Sequence, residues 1–78
     1  MPWSHRIIQD DDSTCRVEIT DEDGVVVPVA RGVSQLQAET LLKRIEVEMT
    51  ESSRPVKAVI RDPYFMAATV ITVKRLPG

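Results

Sequence analysis

The chain is poor in the residues that build disulfides, metal centres and phosphate loops. Its 78 residues include one cysteine, one histidine and three glycines. Cys15 alone cannot form an intrachain disulfide, and His5 has no cysteine pair with which to hold zinc. Cys15 also lies on the apolar side of an alternating stretch, where thiols are unreactive. No glycine-rich loop with a P-loop lysine is present. We therefore predict no metal, no cofactor and no catalytic residues, and so not an enzyme.

Long apolar runs are also absent. No stretch approaches the roughly 20 apolar residues that span a bilayer, and the start "MPWSHRI" lacks the apolar core of a signal peptide. We expect Cys15 to be a small buried apolar residue, which fits a reducing compartment. These features predict a cytoplasmic protein without membrane contact. The length predicts a single domain over residues 1–78.

Net charge is small, but its sign changes along the chain. Residues 1–30 hold seven acids and two arginines, whereas residues 31–78 hold five acids and eight bases. A chain of this kind is not basic enough overall to indicate a nucleic-acid-binding domain. It can still bind a partner through complementary charge.

Alternating residues predict three strands in the first half. "HRIIQ" is short and extended, and "DDDS" interrupts it with turn-forming residues. "TCRVEIT" alternates with a period of two, and "DEDG" then joins it to "VVVPVA" as a hairpin. Pro28 lacks a backbone donor, so we expect the last of these strands to lie at an edge or to carry a bulge.

One helix follows, and its start is marked by a capping box. Ser34 is a good N-cap, and Gln37 stands three residues later. The helix should end at "ESSRP", because a residue before proline avoids helical angles. Apolar residues recur at helical spacing and form one stripe, made of Ala38, Leu41, Leu42, Ile45 and Met49.

Two more strands are predicted after the helix. "VKAVIR" alternates, "DPY" has the composition of a turn, and "AATVITVKR" is rich in β-branched residues. The predicted fold is therefore α+β, with an antiparallel sheet of four to five strands in the order β-β-β-α-β-β. One amphipathic helix packs on one face of that sheet.

The acidic turns allow two interpretations. A calcium loop of the EF-hand type needs oxygen ligands at fixed offsets and a glycine at the sixth position. A loop that starts at Asp21 has valines where ligands are needed, and one that starts at Asp10 has Cys15 in place of the glycine. Plain turn chemistry is the favoured interpretation, with a weak divalent cation as the alternative.

The predicted sheet carries more apolar surface than one helix covers. Five strands are about 24 Å wide at roughly 4.8 Å each, whereas a helix covers about 10–12 Å. The apolar residues on the face opposite the core are Val26, Ala30, Val59 and either Val70 or Ile71, and Leu36 and Val47 lie on the outer side of the helix. Some of this surface is therefore expected to bind another chain, with Trp3, Tyr64 and Phe65 as aromatic anchors.

Two resemblances bear on function. Three strands and a helix that ends in "AETLLKRIE" resemble the arm-type DNA-binding domain that precedes phage integrases, over about the first half of the chain. That family reads DNA with strands rich in lysine, arginine and aromatics, whereas the strands here read "CRVEIT" and "VVVPVA" and are flanked by acids.

The whole chain is more similar to the small anti-CRISPR proteins of phages. The resemblance lies in "TCRVEITDEDGVVVPVA", "QAETLLKRIEVEM" and "RPVKAVIRD", in the order hairpin, helix, strand. Those proteins occupy a surface of a CRISPR effector without catalysis. The resemblance implies that the acidic turns and Glu46, Glu48 and Glu51 face a basic surface of a target.

The leading hypothesis is a non-catalytic protein-interaction protein, such as a phage-encoded inhibitor of a host nucleoprotein complex. Its predicted partner-binding residues are Asp10, Asp11, Asp12, Asp21, Glu22, Asp23, Leu36, Lys43, Val47, Tyr64 and Phe65. The first alternative is a nucleic-acid-binding module that uses Arg54, Lys57, Arg61, Lys74 and Arg75. The second alternative is a homodimeric structural protein.

Overall fold

A computed structural model describes residues 2–77. Three strands come first: β1 (Ser4–Gln9), β2 (Cys15–Thr20) and β3 (Val26–Val33). They form one antiparallel sheet in the order β1-β2-β3. Three helices follow: α1 (Gln35–Ser52), α2 (Val56–Ile60) and α3 (Pro63–Lys74). The α+β prediction is thus confirmed in its class, and its first three strands and its long helix are present.

The period-two pattern of β2 decides which face of the sheet is buried. Cys15, Val17 and Ile19 are buried against the helices, and the residues between them face outward. Pro28 lies in an edge strand, and the register of β2 with β3 shifts beside it. The prediction of an edge position or a bulge at Pro28 is confirmed in both respects.

The capping box of α1 is present as predicted. The Ser34 hydroxyl accepts from the Gln37 N–H at 3.1 Å, and the Gln37 side chain accepts from the Ser34 N–H at 2.9 Å. The helix packs the predicted stripe against β2 and β3, with Met49 only partly buried. It ends at Ser52, and the C-cap Ser53 adopts φ 54°.

The two strands predicted after α1 are wrong. "VKAVIR" forms α2, because Val56, Val59 and Ile60 stand at helical spacing and all three are buried in the core. The prediction that Val59 lies on the sheet face opposite the core is therefore wrong, because this segment is not a strand.

"AATVITVKR" belongs to α3 and not to a strand. The preceding "DP" is a helix start, with Asp62 as N-cap and Pro63 in the first turn, because the fixed φ of proline suits that position. The Asp62 carboxylate accepts from the N–H groups of Tyr64 and Phe65 at 3.0 Å each. Capping and packing thus override the strand preference of the β-branched residues.

Because α2 and α3 replace two predicted strands, the exposed apolar surface is not the excess sheet surface that the sequence predicts. A three-stranded sheet is only about 14 Å wide, and α1 and α3 pack on the inner face of β2 and β3. Among residues 2–77, the exposed large apolar residues that remain are Val25, Val26, Leu36, Val47, Tyr64 and Ile71. No helix within residues 2–77 is long and apolar enough to cross a membrane.

Val59 and Val47 form a matched pair that tests the reassigned α2. Val59→Ala should lower the free energy of unfolding by about 2 kcal/mol, because two buried methyl groups are removed from the core. Val47→Ala makes the same change at a position that is 44% exposed, and should alter stability by less than about 0.5 kcal/mol. Urea unfolding measures both, and equal effects would contradict the placement of Val59.

Candidate functional site

The acidic turn between β2 and β3 faces inward. Asp21 comes two residues after Ile19, so its side chain points to the same side of the sheet as that of Ile19. This is the core side, where Asp21 is completely buried. Its Oδ1 accepts from the N–H groups of Asp23 at 2.8 Å and Val25 at 3.0 Å. Its Oδ2 lies 2.9 Å from Nη2 of Arg61. The two groups form an ion pair, but their geometry is not that of a hydrogen bond.

Glu22 binds the start of α2. Its two carboxylate oxygens accept from the N–H groups of Val56 at 2.7 Å and Lys57 at 3.0 Å. These amides belong to the first turn of a helix, where no intrahelical acceptor exists, and the N-cap Pro55 provides no side-chain bond. The next acid, Asp23, forms an ion pair with the Lys57 ammonium group. The turn therefore caps and holds α2 from a distant part of the chain.

Both inward carboxylates have lowered pKa values. Burial raises the pKa of Asp21, but the Val25 N–H, the Arg61 guanidinium and the Asp23 N–H outweigh it and the pKa falls below its usual range. Burial likewise raises the pKa of Glu22, and its backbone donors, including those of Lys57 and Val56, reverse that effect. Both groups are therefore held as carboxylates in the folded protein.

The acidic turn between β1 and β2 lies at the opposite end of β2. Asp11 accepts from the N–H groups of Ser13 and Thr14 at 2.9 Å each, which is local turn chemistry. Asp10 is 3.6 Å from Arg16, and Asp12 is exposed. Across residues 2–77, no three side chains of histidine, cysteine, aspartate or glutamate lie close enough together to hold a metal ion.

His5 and Cys15, the only histidine and cysteine, lie apart. His5 pairs with Ile19 and Cys15 pairs with Gln9 across the β1–β2 ladder, so four residues separate them along the strands. That separation is roughly 13 Å. Cys15 is buried, with its Sγ 3.8 Å from a Gln35 oxygen.

Most of the basic residues predicted to contact nucleic acid are bound to acids of the same chain. Arg54 contacts Glu48 at 2.8 Å and Asp62 at 3.1 Å, which raises the pKa of the guanidinium. Lys57 and Arg61 bind Asp23 and Asp21, as described above. Lys74 and Arg75, at the end of α3, are exposed and form no ion pair within the described part of the chain.

The outer side of α1 carries a shallow groove. Leu36 is 56% exposed at one end, and Lys43 and Val47 lie farther along the same side. The groove has a volume of about 340 Å³ and is lined by Lys43, Glu46, Val47, Thr50 and Glu51. Charged side chains border its apolar floor, as is usual on the solvent side of an amphipathic helix.

The outer side of α3 is different, because it has no charge. No charged residue occurs from Pro63 to Val73, and only Thr69 and Val73 are buried within that span. Tyr64 is 88% exposed and Ile71 is 51% exposed. We call the exposed row Tyr64, Ala67, Ala68 and Ile71 the α3 stripe.

Of the two predicted α3 aromatics, only Tyr64 belongs to the stripe, since Phe65 packs against the core. Sequence reasoning missed Ala67 and Ala68, and it named Ile71 only as an alternative to Val70 on a sheet face. The spacing of Ala67, Ala68 and Ile71 from Tyr64, by three, four and seven residues, indicates one exposed row only when the segment is a helix.

Asp21→Asn should destabilise the protein far more than Asp12→Asn. The first change removes a buried charge that faces Arg61 and two backbone donors, whereas the second removes an exposed carboxylate. We expect a clear fall in the urea midpoint for Asp21→Asn and almost none for Asp12→Asn. Equal midpoints would show that the turn does not pack inward.

Stability should also fall in acid. A carboxylate whose pKa is lowered on folding stabilises the folded state at neutral pH. This contribution is lost as the pH falls below the pKa of the same group in the unfolded chain, which is roughly 4–4.5. Urea unfolding between pH 7 and pH 3 should therefore show decreasing stability below about pH 4.5. The decrease should be smaller in Glu22→Gln, and an unchanged decrease would contradict the role of Glu22.

Comparison with family models, with curated proteins and with solved structures gives no match. The resemblance to anti-CRISPR proteins therefore stays a prediction from architecture.

Proposed function

We propose that this chain is a non-catalytic protein-interaction protein that binds its partner through the α3 stripe. The observation that carries the proposal is an exposed helix face without charge from Pro63 to Val73. A helix that is apolar on all sides is ordinarily buried on all sides. Here the inner side packs on the core, and the outer side has no cover within residues 2–77.

The shape of the stripe fits a protein partner. Ala67 and Ala68 leave a low, flat centre between two larger side chains, Tyr64 and Ile71. Small central residues let another backbone approach closely, and an exposed tyrosine is a frequent anchor in interfaces because it combines apolar area with a polar tip. The partner chemistry that matches is an apolar, uncharged patch with an acceptor or donor for the Tyr64 hydroxyl.

Inhibition of a host nucleoprotein complex is the more specific form of this proposal. Its acidic contacts would come from carboxylates that face solvent, namely Asp12 and the groove residues Glu46 and Glu51. Asp21 and Glu22 are excluded from such contacts, because they are committed to Arg61 and to α2.

Nucleic-acid binding is the second candidate, now with a smaller set of residues. Lys74 and Arg75 lie side by side at the end of α3, exposed and without acidic neighbours in ion-pair contact among residues 2–77. Two bases give only a weak electrostatic attachment, since affinity for phosphate backbones grows with the number of contacts.

Ile71→Glu should weaken partner binding without unfolding the protein. Capture from a lysate of the native host followed by mass spectrometry identifies the partner, and titration with the purified partner measures Kd. We expect a loss of at least about tenfold, because a charge is placed on an apolar contact.

Val26→Glu is the matched control, since it makes a similar change at an exposed apolar position on β3, outside both the α3 stripe and the groove on α1. Its Kd should stay within about threefold of the unmodified protein. Equal losses in the two variants, or a loss only in Val26→Glu, would contradict the assignment to α3. Salt-sensitive binding to duplex DNA that Lys74→Glu abolishes would favour the second candidate.

A further inference from the structure

The two edges of the sheet differ in protection against pairing with another strand. The β3 edge contains Pro28, a shifted register and Gly32 at φ 68°, all of which disturb a regular ladder. The β1 edge has none of these. Its six residues pair with β2 in an unbroken register from Ser4–Thr20 to Gln9–Cys15.

The outer edge of β1 is therefore a regular template for a further strand. Within residues 2–77, β1 pairs only with β2, so alternate N–H and C=O groups point away from the sheet. Two isoleucines, Ile7 and Ile8, lie half-buried on opposite faces of this edge. Burial of one more strand beside them would remove their remaining apolar surface from water.

We propose that β1 pairs antiparallel with β1 of a second copy of this chain, about a twofold axis that passes through Ile7. The product is a continuous sheet of six strands with the helices of both copies on one face. This inference depends on the sheet edge and is independent of the α3 stripe.

Symmetry and charge select this register. Residues directly opposite in an antiparallel pair share a face, so the axis must pass through a residue and not between two residues. An axis at Arg6 would place two guanidinium groups directly opposite, which is destabilising. An axis at Ile8 would pair only three residues of β1 with each other, against five for an axis at Ile7.

The Ile7 register matches the chain with itself. It places Arg6 opposite Ile8 of the second copy, with Asp10 and Arg6 of that copy at the two diagonal positions, and it brings the two Ile7 side chains together. Ile7 already stands beside Val17, which stands beside Ala30. In the dimer, the row Ala30, Val17 and Ile7 of one copy therefore continues into Ile7, Val17 and Ala30 of the other, across all six strands. An unrelated peptide would not continue this row, and for this reason we assign the edge to a second copy.

Two variants that place opposite charges at position 8, Ile8→Glu and Ile8→Lys, test the register. Sedimentation equilibrium of the full chain, from micromolar to millimolar concentration, should show a monomer–dimer equilibrium. Ile8→Glu faces Arg6 of the second copy at two symmetric contacts and should tighten the dimer Kd about tenfold, whereas Ile8→Lys should weaken it about tenfold.

The controls are Val26→Glu and Val26→Lys on the same outer face at β3, which should leave the dimer Kd unchanged. Because Ile8 also lies opposite Arg16 in its own chain, urea unfolding confirms that each variant is folded. The mass of a single chain at every concentration would overturn the proposal. Equal effects of Ile8→Glu and Ile8→Lys, or loss of the dimer in Ile71→Glu, would overturn it as well.

Discussion

The contact between the acidic turn and α2 joins the two halves of the molecule by polar bonds, beside the apolar core that they share. Asp21 faces Arg61 from the interior, Glu22 caps the first two amides of α2, and Asp23 binds Lys57. The opposite charges of the two halves of the sequence thus meet inside one molecule. Without these bonds, a helix of five residues would have an uncapped start, and helices that short are unstable in water.

This contact also decides which surfaces are available to partners. Asp21 and Asp23 neutralise Arg61 and Lys57, two bases that would otherwise suggest a phosphate-binding surface. Arg54 is similarly bound by Glu48 and Asp62. What faces solvent is a neutral row on α3 and an undisturbed strand edge at β1. Under the two proposals, which are independent, the protein is a dimer that presents two copies of one apolar contact.

The sequence predicts the first half of the fold well, because its signals are local. The alternation of β2, the capping box at Ser34 and the edge signal of Pro28 all involve neighbouring residues. The second half depends on distant contacts: the cap of α2 is Glu22, which lies 34 residues before the amide it binds. The six residues "VKAVIR" are too few to distinguish the period of two of a strand from the period of 3.6 of a helix. Only the burial of Val59 shows that the segment is a helix.

The central claim is that the carboxylate of Glu22 caps α2, and amide hydrogen exchange measured by NMR tests it most directly. The N–H groups of Val56 and Lys57 have no acceptor in their own helix, so their protection must come from Glu22. They should exchange slowly in the unmodified protein and much faster in Glu22→Ala, while Leu41 and Ile45 in α1 keep their protection. Fast exchange at both amides in the unmodified protein would contradict the account.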